Sequence, residues 1–82
     1  MIDKDLDTPV YVQLADLLRA QIASGELAPR RPLPSIRTLQ QRYEVSDGTV
    51  KKAVAVLRDE GLVRTVTGRG VYVVDHSGSP ER

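Results

Sequence analysis

Apolar residues recur along the first third of the chain at helical spacing. Tyr11, Leu14, Ala15, Leu18 and Ile22 lie three and four residues apart, on one face of a helix, and Leu17 widens the stripe. Thr8-Pro9 predicts the start: a hydroxyl able to cap, then proline at the first helical position, where its missing N–H costs nothing. Ser24-Gly25 predicts the end, with glycine suited to the left-handed position past the last turn. Residues 26–34 carry three prolines (29, 32 and 34), too rigid for helix, and Pro32 allows at most a short edge strand. Ser35 is the expected N-cap of a second, short helix, with Ile36, Leu39 and Tyr43 as its apolar stripe. After the break Glu44-Val45-Ser46, Ser46 caps a third helix over 47–60, stopped by Gly61. Its apolar positions Val50, Ala53, Val54 and Leu57 follow i, i+3, i+4 and i+7. Two helices joined by so short a turn match a helix-turn-helix.

Past Gly61 the period changes. Residues 62–67 and 71–74 read as β-branched strands on either side of Thr67-Gly68-Arg69-Gly70, a glycine-containing hairpin loop. The expected fold is mainly α with a small β-hairpin: a winged helix-turn-helix of three helices plus an antiparallel wing. The domain would occupy 9–75, between a flexible acidic N-terminus (1–8) and a polar tail or linker (76–82).

Composition narrows the function more than the fold. Eighty-two residues leave room for one small domain. Three tyrosines with no Phe or Trp require an aliphatic core. With no cysteine there is no disulfide, thiolate nucleophile or Cys zinc site, and the single histidine, His76, falls in the polar tail. No enzyme activity, metal or cofactor is therefore expected. No apolar run approaches the roughly 20 residues of a membrane span, and no signal segment opens the chain. A cytoplasmic protein with no membrane partner fits these observations.

The net charge of +1 conceals an asymmetry. Residues 1–29 hold two basic and five acidic side chains, whereas residues 30–74 hold nine basic and four acidic ones. The basic part is the helix-turn-helix and hairpin. In the third helix, at about 100° per residue, the face opposite the apolar stripe centres on Gly48 and Ala55 and is flanked by Lys51 and Lys52. Small residues between lysines let a helix approach the floor of a DNA major groove, with Thr49 and the lysines on phosphates. The bland alternative is a solvated, lysine-bearing surface. Arg37, second in its helix, reads as a base contact or a solvated charge. Ser35 and the free N–H groups behind it suit a phosphate, although they need partners in any protein. The tip Gly68-Arg69-Gly70 is a plain turn or a wing whose glycines allow close approach while Arg69 meets a minor groove or phosphate.

Taken together, Pro9-Val10-Tyr11, Ile22-Ala23-Ser24-Gly25-Glu26-Leu27, Leu33-Pro34-Ser35, Tyr43, Val45-Ser46, Thr49-Val50, Ala53, Val56-Leu57, Glu60-Gly61-Leu62-Val63 and Gly68-Arg69-Gly70 resemble the winged-helix domain of GntR-family bacterial transcription regulators. The resemblance covers roughly four-fifths of the chain. It implies a DNA-binding headpiece for a pseudo-palindromic operator, usually in a homodimer, most often a repressor. It further implies base contacts by residues matching Arg37 and Lys51, phosphate contacts by those matching Thr49 and Tyr11, and minor-groove approach at Gly68.

Four positions depart from the family pattern. Ile36 and Thr38 stand where glutamates are usual, so a capping box is missing. Glu44 replaces the turn glycine, at a cost if the position stays left-handed. Asp47 replaces an arginine, and Pro32 a basic residue beside Arg30 and Arg31. Asp47 is a simple helix N-terminal acid or an acceptor for a cytosine amino group that alters operator choice.

The expected function is therefore sequence-specific binding of double-stranded DNA, with helix 47–60 in the major groove and the wing near the minor groove. The expected contacts are Ser35, Arg37, Ser46, Asp47, Gly48, Thr49, Lys51, Lys52, Gly68, Arg69 and Gly70, with Tyr11, Arg30 and Arg31 as lesser ones. The alternative is a winged-helix protein–protein module without DNA specificity of its own. No effector domain is expected in this chain and the effector is unknown. An excised headpiece and a complete short regulator both fit.

Overall fold

Helical periodicity and turn chemistry carry over into the computed structural model, which describes residues 2–75. The elements are α1 (Val10–Ser24), α2 (Ile36–Tyr43), α3 (Asp47–Asp59), β1 (Val63–Val66) and β2 (Gly70–Val73). This order, with the two strands paired antiparallel, is a winged helix-turn-helix. His76 and the rest of the expected 76–82 tail lie outside the described residues.

The core is aliphatic, as the absence of Phe and Trp requires. Leu14, Ala15 and Leu18 of α1 meet Leu39 of α2 and Val50, Ala53, Val54 and Leu57 of α3, all buried. Burying one such leucine stabilises by about 1.5–3 kcal/mol, so these stripes dictate which faces meet. The hairpin joins through Val63 and Val73, which face each other across the strands and are both buried. Period-two alternation turns Arg64 to the surface, and Thr65, on the Val63 face, is exposed as well toward the hairpin tip.

Three local details differ from the expectation. Pro9, rather than Thr8, occupies the N-cap of α1, with extended backbone (φ −54°, ψ 145°) and no side-chain cap. The proline begins the helix one residue later than placed, and the carbonyls of Pro9 and Thr8 take up nearby donors. The strands are 63–66 and 70–73 rather than 62–67 and 71–74, and the three-residue turn between them, closed by Arg69 N–H to Val66 O (2.9 Å), falls one residue earlier. The third helix ends at Asp59, with Glu60 as its cap.

The proline-rich connector forms the expected short edge. Pro32 bridges Tyr72, while Arg30 N–H and Leu33 N–H donate to Val73 O (2.9 Å) and Val71 O (2.8 Å). Pro32 costs this pairing no bond, because its neighbours make them: Arg31 O accepts from Val73 N–H (2.9 Å) on one side and Leu33 N–H donates on the other. The acidic N-terminal segment expected to be flexible makes specific contacts. Asp3 N–H donates to Gln13 Oε1 (2.7 Å), and Gln13 Nε2 donates to Asp3 O (2.8 Å) and Thr8 O (2.9 Å). Gln13 is the one polar residue among the buried side chains of α1, and these bonds satisfy it. Lys4 Nζ donates to Glu44 O (2.7 Å), linking this segment to the turn between α2 and α3.

A second polar link joins α1 to the end of α3. Arg19 donates through Nε and Nη2 to both carboxylate oxygens of Glu60 (2.8 Å each), and also pairs with Asp16. These hydrogen bonds, Glu60 first, raise the Arg19 pKa, and the same bond lowers that of Glu60.

Candidate nucleic-acid interface

Helices α2 and α3 start with one repeated device, Ser-x-x-Thr. Ser35 is extended (φ −62°, ψ 160°) and its Oγ accepts from Thr38 N–H (3.0 Å), while Ser35 Oγ donates to Thr38 Oγ1 (2.9 Å). Ser46 repeats this with Thr49 at 3.1 Å and 2.9 Å. Each Ser thus satisfies one of the free N–H groups of its helix. The glutamate capping box is absent as expected, but Thr38 supplies its own link in its place. Each Thr hydroxyl, having accepted from Ser, keeps a proton to donate outward, and such chains strengthen the terminal donor.

Between the α2 start, α3 and the hairpin lies an open cleft of about 700 Å³. Arg37 lines it from α2, Lys51 and Arg58 from α3, and Arg69 from the hairpin tip, with Ser35 and Gly70 at its margin. Among the described residues no carboxylate lines it. Its floor is apolar, formed by Leu33, Leu39, Val54 and Val71. Four cations around a carboxylate-free concavity focus positive potential and attract a polyanion.

The structure brings five of the expected contacts together around this cleft. Arg37, Lys51, Arg69, Gly70 and Ser35 line the cleft. Ser46, Asp47 and Gly48 are exposed and Thr49 half-buried at the α3 start. Lys51 Nζ is 3.0 Å from Asp47 Oδ2, one helical turn back. Lys52 is not among the cleft residues, and its ammonium is 5.5 Å from the centre of the Tyr11 ring on α1. Gly68 (φ 78°) and Gly70 (φ 118°) hold the hairpin turn in the left-handed region, where a side chain would strain it.

Arg30 and Arg31 are not among the cleft residues. Arg30 (φ 66°) pairs with Asp75 (3.0 Å) beyond β2, and Arg31 is exposed on the connector. The sequence reading missed Arg58, whose Nη1 donates to Thr65 Oγ1 (3.2 Å) as it lines the cleft. The signal was present: Arg58 lies seven residues after Lys51, two turns along the same face.

Gly48 has open space where a Cβ would stand and an ordinary φ, so neither packing nor backbone geometry requires glycine there. Glu44 is the reverse case: its φ of 56° is left-handed, so the expected cost of replacing glycine applies. Among the described residues no group of three or more His, Cys, Asp or Glu could hold a metal ion, and no helix is long and apolar enough to cross a membrane.

Comparison with known proteins gives a consistent answer. The family described as "Bacterial regulatory proteins, gntR family" matches residues 10–73. The chain is 40% identical over 72 residues to the HTH-type transcriptional repressor NagR of Bacillus subtilis (strain 168), covering 88% of this chain and 30% of that protein. It is 42% identical over 65 residues to the mannosyl-D-glycerate transport/metabolism system repressor MngR of Escherichia coli (strain K12), covering 79% and 27%. It thus spans under a third of either relative's length. Among solved structures, the AraR DNA-binding domain in complex with operator ORR3 superposes with a TM-score of 0.79 at 28% identity, covering 90% of this chain and 89% of that one. With residues 10–73 matched, the chain belongs to the GntR family of bacterial regulatory proteins.

Proposed function

We propose that this chain is a sequence-specific double-stranded DNA-binding headpiece of a transcription regulator, most simply a repressor. In this reading α3 enters the major groove and the hairpin tip lies near the minor groove. The carrying observation is the cleft: Arg37, Lys51, Arg58 and Arg69 converge on it without a carboxylate among its described lining residues. Gly48 supports it further, since an exposed helical glycine costs stability and nothing inside the protein requires it. The AraR DNA-binding domain, similar in fold and solved in complex with an operator, supports the DNA-binding reading.

Arg37 and Lys51 are assigned to base edges, while Thr49, Lys52 and Ser35 are assigned to phosphates. Lys52 is steadied by the Tyr11 ring. Ser46 and Gly48 shape the approach of α3, and Gly68, Arg69 and Gly70 form the wing contact. Arg30 and Arg31 are left as peripheral phosphate contacts. A homodimer on a pseudo-palindromic operator, a cytoplasmic location and a role in binding rather than catalysis complete the proposal.

Fluorescence anisotropy with mixed-sequence duplex at low salt, followed by selection from a random duplex pool, tests it. The expected result is salt-dependent binding to mixed DNA and a palindromic consensus from the pool. Lys52→Ala should weaken selected and mixed duplex alike, whereas Arg37→Ala should cost more on the selected one. Equal losses for Arg37→Ala would reassign it to phosphate. No duplex binding at any salt would favour the protein–protein module instead.

A further inference from the structure

The start of α3 holds a feature that a phosphate-binding surface does not explain. Asp47 and Lys51 join head groups at 3.0 Å, and their side chains are 54% and 63% exposed, so both are available to a ligand. A carboxylate facing DNA is repelled by phosphate, and in the major groove it finds a partner only in an exocyclic amino group, cytosine N4 or adenine N6. Resting on the DNA-binding reading above, we propose that Asp47 and Lys51 act as one unit that reads a single C·G base pair, with cytosine on the Asp47 side.

The match is one of spacing and sign. In a C·G pair, cytosine N4 and guanine O6 are joined by a hydrogen bond of about 2.9 Å. Both also present free valences to the major groove: the second amino proton of N4 and a lone pair of O6. A donor and an acceptor therefore lie side by side at nearly the separation of the carboxylate and ammonium. Asp47 accepts from N4 while Lys51 donates to O6.

Neighbouring atoms decide among the alternatives. Guanine N7 lies beside O6 and gives Lys51 a second acceptor, and no acceptor lies beside cytosine N4. An A·T pair also sets a donor beside an acceptor. There, however, adenine N7 turns a lone pair toward the carboxylate, and the thymine methyl meets the ammonium. A reversed G·C pair sets the carboxylate against O6. The intramolecular pair has a second effect: with Asp47 beside it, Lys51 attracts phosphate less, which lowers binding to unrelated DNA.

The test uses the full 82-residue chain. The duplex selected by the native chain is titrated beside versions with each C·G pair replaced in turn by A·T, T·A or G·C. For the native chain, one position per half-site should show about tenfold discrimination against the replacements. Asp47→Ala should abolish that discrimination and bind mixed duplex more tightly. Its plot of log K against log salt should steepen by about one, because the freed Lys51 takes a phosphate. Asp47→Asn keeps a carbonyl acceptor, should retain part of the preference, and serves if the alanine variant folds poorly. Unchanged preference at every position, with only a lower thermal midpoint, would make Asp47 a helix-end acid and overturn the proposal. Failure of the native chain to bind duplex would instead overturn the DNA-binding reading, and the pair with it.

Discussion

Ser35 and Ser46 cap α2 and α3 with the same four-residue device, yet the two helices depend on it unequally. Helix α2 has eight residues and one buried side chain, Leu39, whereas α3 has thirteen and buries Val50, Ala53, Val54 and Leu57. Their first turns differ in charge as well. That of α3 contains Asp47, which offsets the positive end of the helix, while that of α2 contains no acid and places Arg37 beside the cleft. Their far ends reverse the contrast. Gly61 (φ 78°) follows α3 with N–H bonds from Leu62 to Leu57 O and from Gly61 to Arg58 O, each 3.0 Å. After α2 the same left-handed position is filled by Glu44. The short α2 is thus lightly anchored with no acid at its positive end, and the longer α3 is deeply anchored with that end offset by Asp47.

The largest effect should come from truncating Leu39, the one buried side chain of α2, which Ile36 and Tyr43 flank at the edge of the core. Leu39→Ala is expected to cost about 2–4 kcal/mol in urea denaturation, with hydrogen-exchange protection lost first in α2. Equal loss of protection in α2 and α3 would break the contrast in anchoring. Next come the caps. Ser35→Ala and Ser46→Ala should each cost about 1 kcal/mol. The first should also fray α2, because so few other contacts hold it, whereas four buried side chains keep α3 formed. Circular dichroism with amide exchange on both variants separates the two outcomes.

The Ser35 and Ser46 caps, the stripes and the wing are readable because each is local, whereas the Thr8 cap fails because Pro9 takes its place. Leu14 and Leu18, or Val50 and Leu57, announce burial by spacing alone, and Ser46 ahead of that stripe announces a helix start, although its link to Thr49 emerges only in the fold. Gln13 was not readable: its partners include the Asp3 backbone ten residues away, and only the folded segment brings them together. Lys52 was legible as exposed but not as facing Tyr11, since that contact needs α1 packed on α3. Arg30 looked like a free cation beside Arg31 until the edge strand set it next to Asp75, 45 residues on. Arg58 is different, because its seven-residue spacing from Lys51 puts it on the same face of α3 and is legible in the sequence itself.

Glu44 sharpens the comparison from its other end. Relief of its left-handed strain is worth about 1–2 kcal/mol, and the extra freedom of glycine in the unfolded chain returns about 0.4–1 kcal/mol. Glu44→Gly should therefore raise stability by about 0.5 kcal/mol, read as a higher urea midpoint with unchanged slope. The Lys4 bond to the carbonyl of residue 44 uses only backbone and should survive. Gly61→Ala, at the matching position after α3, should lower the midpoint, since its φ of 78° would then hold a side chain. If both substitutions moved stability in one direction, the two helix ends would not be equivalent.

The smallest expected effect concerns Glu60, an acid at the negative end of α3 that is tolerated because Arg19 of α1 grips both its oxygens. The Arg19 hydrogen bond holds the Glu60 pKa below its usual value of 4.5. A depressed folded-state pKa means that the unfolded chain takes up the proton first as pH falls. The pair's contribution is therefore whole above 4.5 and is lost as pH drops through the depressed value. Arg19→Met keeps the aliphatic stem and removes the charge. Its urea midpoint should lie below that of the native chain at neutral pH, and the gap should close in acid. Because the pair is exposed, the gap should also shrink with added salt. A gap that persists unchanged in acid would assign the link between α1 and the end of α3 to packing of the Arg19 stem. The asymmetry between the two helix ends would then rest on Gly61 and Glu44 alone.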